Sequence, residues 1–340
     1  MKGKVKIGLN MLLMIIVLGV IFYVMDNSLS DIFAQLMETS WLVLIAVIFF
    51  GVVYQFAEGR SIKEIARYFN KDFTTVDGFF TSCYVAFYRI ISFGTGTLLS
   101  EIYFYKKKGI PVSKSVGITA LHMIMYKAAV IFLAIIGLII QFSLFYENAP
   151  KMIPFILAGV ILTLVIIAAL LILSSSLKLQ VLLVKFANRW FKRPKLRDWV
   201  DNCNLQIYSL RAAVQTITQD HSALLRIFSW NVFKLLFWYI IPYIVLVENH
   251  PNIDLLLVMS SFAVILSGVI PTPAGIGPFE FVYLLLFKPL VGNVDAVASV
   301  LLYRFGSFVL PFLIGLVYVA IEKRKSLRIE IEEIKRQTDE

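Results

Sequence analysis

The sequence predicts an all-α polytopic membrane protein with six full spans and two re-entrant helical hairpins, arranged as an inverted-topology repeat. Three observations predict it. The 340 residues are 59% hydrophobic and only 16% charged, with a mean hydropathy of +0.82, more apolar surface than a soluble domain can carry in water. The apolar residues fall in long runs, and the 32 Lys and Arg cluster in short stretches between alternate runs. Two further apolar stretches are interrupted by dense glycine and proline, which end a helix before it can cross.

The runs at 7–25, 40–57, 116–140, 152–173, 224–247 and 296–320 are long enough to span, since a crossing needs about 20 apolar residues. Lys2, Lys4 and Lys6 precede the first run. It is long for a secretory h-region and no small-residue cleavage site follows it, so it reads as a span. Stretch 78–105 is broken at Phe93-Gly94-Thr95-Gly96-Thr97, and stretch 255–288 at Pro271, Pro273, Gly275, Gly277 and Pro278.

Charge sets the orientation. Stretches 1–6, 58–77, 106–115, 174–223 and 321–340 hold 25 of the 32 basic residues, whereas 26–39, 141–151, 248–254 and 289–295 hold only Lys151. The first group is expected in the cytoplasm, with both termini, and the second outside. That alternation closes only if each broken stretch returns to the side it entered. Stretch 78–105 then dips in from the cytoplasm and 255–288 from outside. The order of two spans, a broken hairpin and one span occurs twice, once in 1–141 and once in 142–322, with a tail at 323–340. In such inverted repeats the site lies where the broken helices meet. Loop 174–223 mixes basic residues with leucines, Phe186 and Trp190, a composition suited to an amphipathic helix on an anionic leaflet.

Charges within spans are costly and mark candidate sites. These are Arg89, Glu101, Lys127, Lys234, Glu280 and Arg304. Glu280 opens a half-helix directly after the proline-glycine break. Arg304 and Lys127 are basic partners suited to a phosphate. The plainer reading is that Glu280 and Arg304 pair to lock the hairpin against the last span, with Arg89 and Lys127 neutralising Glu101. Tyr103, Tyr105, Tyr126, Tyr283 and Tyr303 read as packing residues and interfacial anchors. The three histidines and two cysteines show no ligand spacing, so no metal site, cofactor or disulfide framework is expected, and the charge pattern argues against nucleic acid.

The segment Ile270-Pro271-Thr272-Pro273-Ala274-Gly275-Ile276-Gly277-Pro278-Phe279-Glu280, followed by a span with Tyr303-Arg304, resembles the lysylphosphatidylglycerol synthase transmembrane-region family. That family includes the flippase half of the multiple peptide resistance factor. Its pattern is Pro-x-Pro-Gly-Gly-x-Gly-x-x-Glu and then Tyr-Arg; here Ala274 stands for the first glycine. The family often has an arginine shortly after the first-half carboxylate, whereas Glu101 is followed by Ile102, Tyr103 and Phe104. Members with synthase activity carry a further C-terminal aminoacyltransferase domain, which a chain ending at Glu340 is not expected to hold.

The resemblance implies a flippase-like transporter in the cell membrane for a phospholipid, an aminoacylated lipid or a glycolipid, with an anionic headgroup favoured. Glu280 and Arg304 would form one half-site, and Lys127, Glu101 and Arg89 the other. The alternatives are a lipid-headgroup transferase that relies on a separately encoded enzyme, and a membrane scaffold for envelope assembly. No nucleophile–base constellation supports an enzyme.

Overall fold

The computed structural model describes residues 39–92, 94–143, 153–175, 219–247, 252–268 and 277–339, with isolated positions between these segments. Among them there is helix and turn but no strand. The elements are α1 (Trp41–Ala66), α2 (Thr75–Ile91), α3 (Thr97–Lys107), α4 (Val112–Ile140), α5 (Ile153–Ser175), α6 (His221–Tyr239), α7 (Ile241–Val245), α8 (Ile253–Ser267), α9 (Pro278–Val291), α10 (Asn293–Arg304) and α11 (Leu310–Asp339).

Among the described residues, four helical segments are long and apolar enough to cross a membrane: Trp41–Ala66, Val112–Ile140, His221–Val245 and Asn293–Lys325. They correspond to four of the six expected spans. The span expected at 152–173 falls on α5, which is apolar over Ile156–Ala169. The span at 7–25 lies outside the described residues, as do Pro271, Pro273, Gly275 and most of the basic loop 174–223.

Helix starts follow local chemistry. Ser40 caps α1 by accepting from the Val43 amide. Thr74 and Asp77 form a reciprocal capping box at α2, satisfying donors that have no partner inside the helix. Asn252 accepts from two amides at the start of α8. Gly277 sits at φ +105° before α9, a conformation that costs a residue with a Cβ. Pro278 then supplies the preset φ of a first helical turn.

Both broken stretches are helix–break–helix units whose helices pack on each other, α2 on α3 and α8 on α9. In the first, Gly94 at φ +84° turns the chain, and Ser92 Oγ accepts from the Gly96 amide at 2.8 Å. The packing between segments is reciprocal. α2 lies against α11, α8 lies against α4, and α1 lies against α6. The α1–α2 contact is backbone on backbone: a Cβ on Gly78 would lie 2.1 Å from Gly59 O. The apolar face of α1 that carries Trp41, Ile45, Phe49, Val52 and Phe56 is exposed, as a lipid-facing surface is. The main apolar core gathers α4, α8, α9 and α10, where Phe262, Tyr283, Phe287 and Tyr303 are fully buried.

Two boundaries depart from the sequence expectation. Helix α1 does not stop at 57 but continues to Ala66, so the start of the stretch read as a loop is buried helix. The last span is not uniform. A π-helical turn, Phe305–Val309, separates α10 from α11, directly after Arg304. Such single π turns inside α-helices occur often at functional sites.

Candidate functional site, a buried polar seam and two helix ends

Helices α1 and α6 are joined by a ladder of polar and aromatic pairs. Arg226 Nε donates to Glu64 Oε2 at 3.0 Å. Asn231 Nδ2 donates to Ser61 Oγ at 2.8 Å. Lys234 Nζ is in close contact with Glu58 Oε2. Tyr54 then meets Trp238, ring centroids 5.1 Å apart. Positions fall along α1 as they rise along α6, so the two helices run antiparallel. Asn231 and Lys234 are buried, and so are Ser61 and Glu64.

Glu58 is the hub of this seam. Besides Lys234, it has His122 Nε2 of α4 at 3.4 Å. The Lys234 ammonium also lies over the Tyr126 ring, 4.6 Å from its centroid. A carboxylate and an ammonium removed from water stay charged only with mutual pairing and further hydrogen bonds, and an aromatic face adds to the attraction for the cation. Sequence reasoning singled out Lys234 but missed Glu58, because 58–77 was counted as a loop. The available signal was the recurrence of Glu58, Ser61 and Glu64 every three residues, which makes each a neighbour of the next on the helix.

Glu280 and Arg304 are brought together as expected, with Arg304 Nε 2.6 Å from Glu280 Oε1. The other carboxylate oxygen accepts from the Gly277 amide at 2.8 Å. Glu280 therefore tethers the start of α9 to the end of α10, beside the positive end of a helix. The Arg304 guanidinium lies over Phe279, 4.5 Å from the ring centroid.

Lys127 is placed at the opposite side of the same break. A Cβ on Gly268 would lie 2.6 Å from Lys127 Nζ, so this ammonium approaches the C-terminal end of α8, where a cation is favoured. The two ends of the second break are thus each met by a basic residue from outside the hairpin. Glu101 is buried on α3 and accepts from Tyr105 Oη at 3.0 Å. Among the described residues neither Arg89 nor Lys127 forms an ion pair with it. Arg89 occupies the last turn of α2, within electrostatic reach of Tyr54 and Tyr126.

Between the seam and the second break lies an aromatic stack. Tyr303 is sandwiched between Trp238, at 5.3 Å and 15°, and Phe279, at 5.0 Å and 11°. Trp238 Nε1, Tyr239 Oη and Tyr303 Oη are buried without a hydrogen-bond partner among the described residues. Buried polar atoms in native folds are almost always paired, so these three stand out within one aromatic cluster. Of the tyrosines expected as packing or interfacial residues, Tyr105, Tyr283 and Tyr303 are fully buried and Tyr103 is exposed. The described residues hold no cluster of metal-ligating groups.

In comparisons with known proteins, the family model for the lysylphosphatidylglycerol synthase TM region matches residues 10–315. No match to a curated protein was found. That match covers nearly all of the chain, including three of the four membrane-length helices, most of the fourth, both helix–break–helix units and every polar group of the seam. The chain belongs to the lysylphosphatidylglycerol synthase transmembrane-region family, among the membrane proteins of lipid metabolism or transport.

Proposed function

We propose that this protein is a flippase-like transporter that carries a lipid headgroup between leaflets of the cell membrane while the acyl chains stay in lipid. The observation that carries the reading is the buried polar path. It runs from the Glu58–Lys234–His122 hub, past the unpartnered Trp238, Tyr239 and Tyr303 atoms, to Glu280–Arg304 and Lys127 at the second break. Charged groups inside a membrane are retained where they serve a substrate or ion pathway.

The architecture supports it. With 7–25 and α5 as spans, α1 and α6 are corresponding elements of two repeats, and α2–α3 corresponds to α8–α9. Corresponding helices of an inverted repeat run in opposite directions, as α1 and α6 do. The exchange of contacts, α2 with α11 and α8 with α4, is what a twofold axis between repeats produces. The hairpins are re-entrant, with both termini on the basic, cytoplasmic side. The substrate is a phospholipid, aminoacylated lipid or glycolipid, and an anionic headgroup suits Arg304 and Lys127.

The test is a reconstitution. Purified protein in liposomes carries fluorescent lipids of differing headgroups, and dithionite quenches the outer leaflet. Wild type should expose the protected inner-leaflet pool. Glu280→Gln and Arg304→Ala should reduce that to the protein-free rate while still eluting as folded protein. No movement of any lipid, with or without a proton gradient, would overturn transport and favour a scaffold or a partner-dependent role.

A further inference from the structure

Helix α11 carries a second feature, on the outside of the fold and away from the polar seam. A cavity of about 520 Å³ lies where α11 passes the ends of α2 and α3, within the range of about 300–1,000 Å³ usual for ligand sites. Its long wall is apolar. Leu313, Val317 and Ile321 follow one another at four-residue intervals along α11, one above the next on a single helix face. All three are substantially exposed. The floor is Phe80 stacked on Tyr318, 4.6 Å between centroids and 25° between planes. This trough therefore runs along a helix that is itself of membrane-spanning character.

One end of the trough is charged. Lys107, Glu322 and Lys325 close it, with Lys107 and Glu322 in direct ionic contact. Lys108 stands beside Lys107 and pairs with Asp77. Lys107, Lys108 and Lys325 thus stand against two carboxylates, Glu322 and Asp77, so cations outnumber carboxylates at this end. An apolar channel parallel to a spanning helix, ending in surplus positive charge, matches the chemistry of one molecule type: a chain of methylenes joined to a phosphate.

We infer that this trough holds one acyl chain of an anionic membrane phospholipid, its phosphate lying between Lys107 and Lys325 and competing with Glu322 for Lys107. The site is separate from the buried seam and does not depend on transport. Acyl burial supplies affinity for any phospholipid; the lysines supply the preference for negative charge, each worth about fivefold by the usual attraction of a basic residue to an anionic headgroup. Glu322 is then an internal stand-in for the phosphate.

The experiment is native mass spectrometry of the full chain in detergent, titrated with phosphatidylglycerol or with phosphatidylcholine of the same acyl composition. Wild type should retain one phosphatidylglycerol at a concentration about fivefold or more below that needed for phosphatidylcholine. Leu313→Trp, which fills the trough, should lose tightly held lipid of either headgroup. Lys107→Ala with Lys325→Ala should bind both lipids alike, and Glu322→Gln should sharpen the preference for phosphatidylglycerol. Should Leu313→Trp fail to fold, Val317→Trp, whose side chain is more exposed, fills the same trough. Undiminished lipid retention in a folded tryptophan variant, or equal retention of the two lipids by wild type, overturns the inference. Binding is read without movement, so a protein that holds lipid here but flips none overturns only the transport proposal.

Discussion

Glu58 and Lys234 illustrate what a residue can and cannot disclose before folding. The lysine stands out because it interrupts an apolar run; the glutamate does not, because it borders a charged stretch. They are 176 positions apart, and no local periodicity links them. Truncating one member of such a pair leaves a buried charge uncompensated, at a cost of roughly 3–5 kcal/mol. Glu58→Gln and Lys234→Met are each expected to lower the unfolding midpoint in detergent strongly, and the double variant should recover most of that loss. Additive losses would show that the two groups do not act on each other. Outside the membrane, Asp77 offers a pH test. Its partial burial favours the neutral form, but hydrogen bonds from Lys108 and Thr74 outweigh that and hold its carboxyl below the ordinary range. A depressed folded value means stability present above the unfolded value and lost as pH falls through the folded one. Asp77→Asn should therefore be less stable than wild type at neutral pH, and the difference should close below about pH 4, as followed by melting curves across pH.

At the scale of elements, the apolar runs were legible because hydropathy alone decides what can cross a bilayer. The four membrane-length helices fall where the runs lie. The helix ends were less so. A charge count assigned 58–77 to a loop, yet α1 holds its helix to Ala66 because Arg226 and Asn231 satisfy its polar residues from α6. The π turn at Phe305–Val309 left no glycine-proline signal comparable to the hairpin breaks, since it inserts into a helix rather than ending one. The first break, at Gly94 and Gly96, was legible, and so was the pairing of Glu280 with Arg304, because each is a charge that interrupts an apolar stretch. Gly78 shows what holds the first hairpin to its neighbour. A valine there would drive its Cβ into the Gly59 carbonyl, so Gly78→Val should cost at least about 1–3 kcal/mol, the usual range for overpacking. A change in stability within the roughly 0.5 kcal/mol usual for surface substitutions would contradict this packing.

At the scale of the whole molecule, contacts gather the basic stretches on one face. Lys108 meets Asp77, Lys107 meets Glu322, and Tyr68 meets Asp220 at the foot of α6. Stretches 58–77, 106–115 and 321–340, scattered along the chain, thus belong to one side. In the topology we propose, that side is the cytoplasmic one, as the positive-inside rule expects. In a variant with Cys83 and Cys203 replaced by alanine, single cysteines at Lys71 and at Lys325 should react with an impermeant maleimide only after the cells are opened. One at Asn252 should react in intact cells. Labelling of Lys71→Cys and Lys325→Cys from opposite sides would break the topology and the inverted repeat with it.

The α1–α6 ladder has a mechanical consequence. A slide of one helix past the other by a single turn, about 5.4 Å, would part Glu64 from Arg226, Ser61 from Asn231 and Glu58 from Lys234 together. A tilt about the Glu58–Lys234 rung leaves that rung intact and strains the outer pairs only in proportion to their distance from it. The seam therefore resists sliding more than tilting, and a rearrangement that keeps all its pairs carries α1 and α6 as one body.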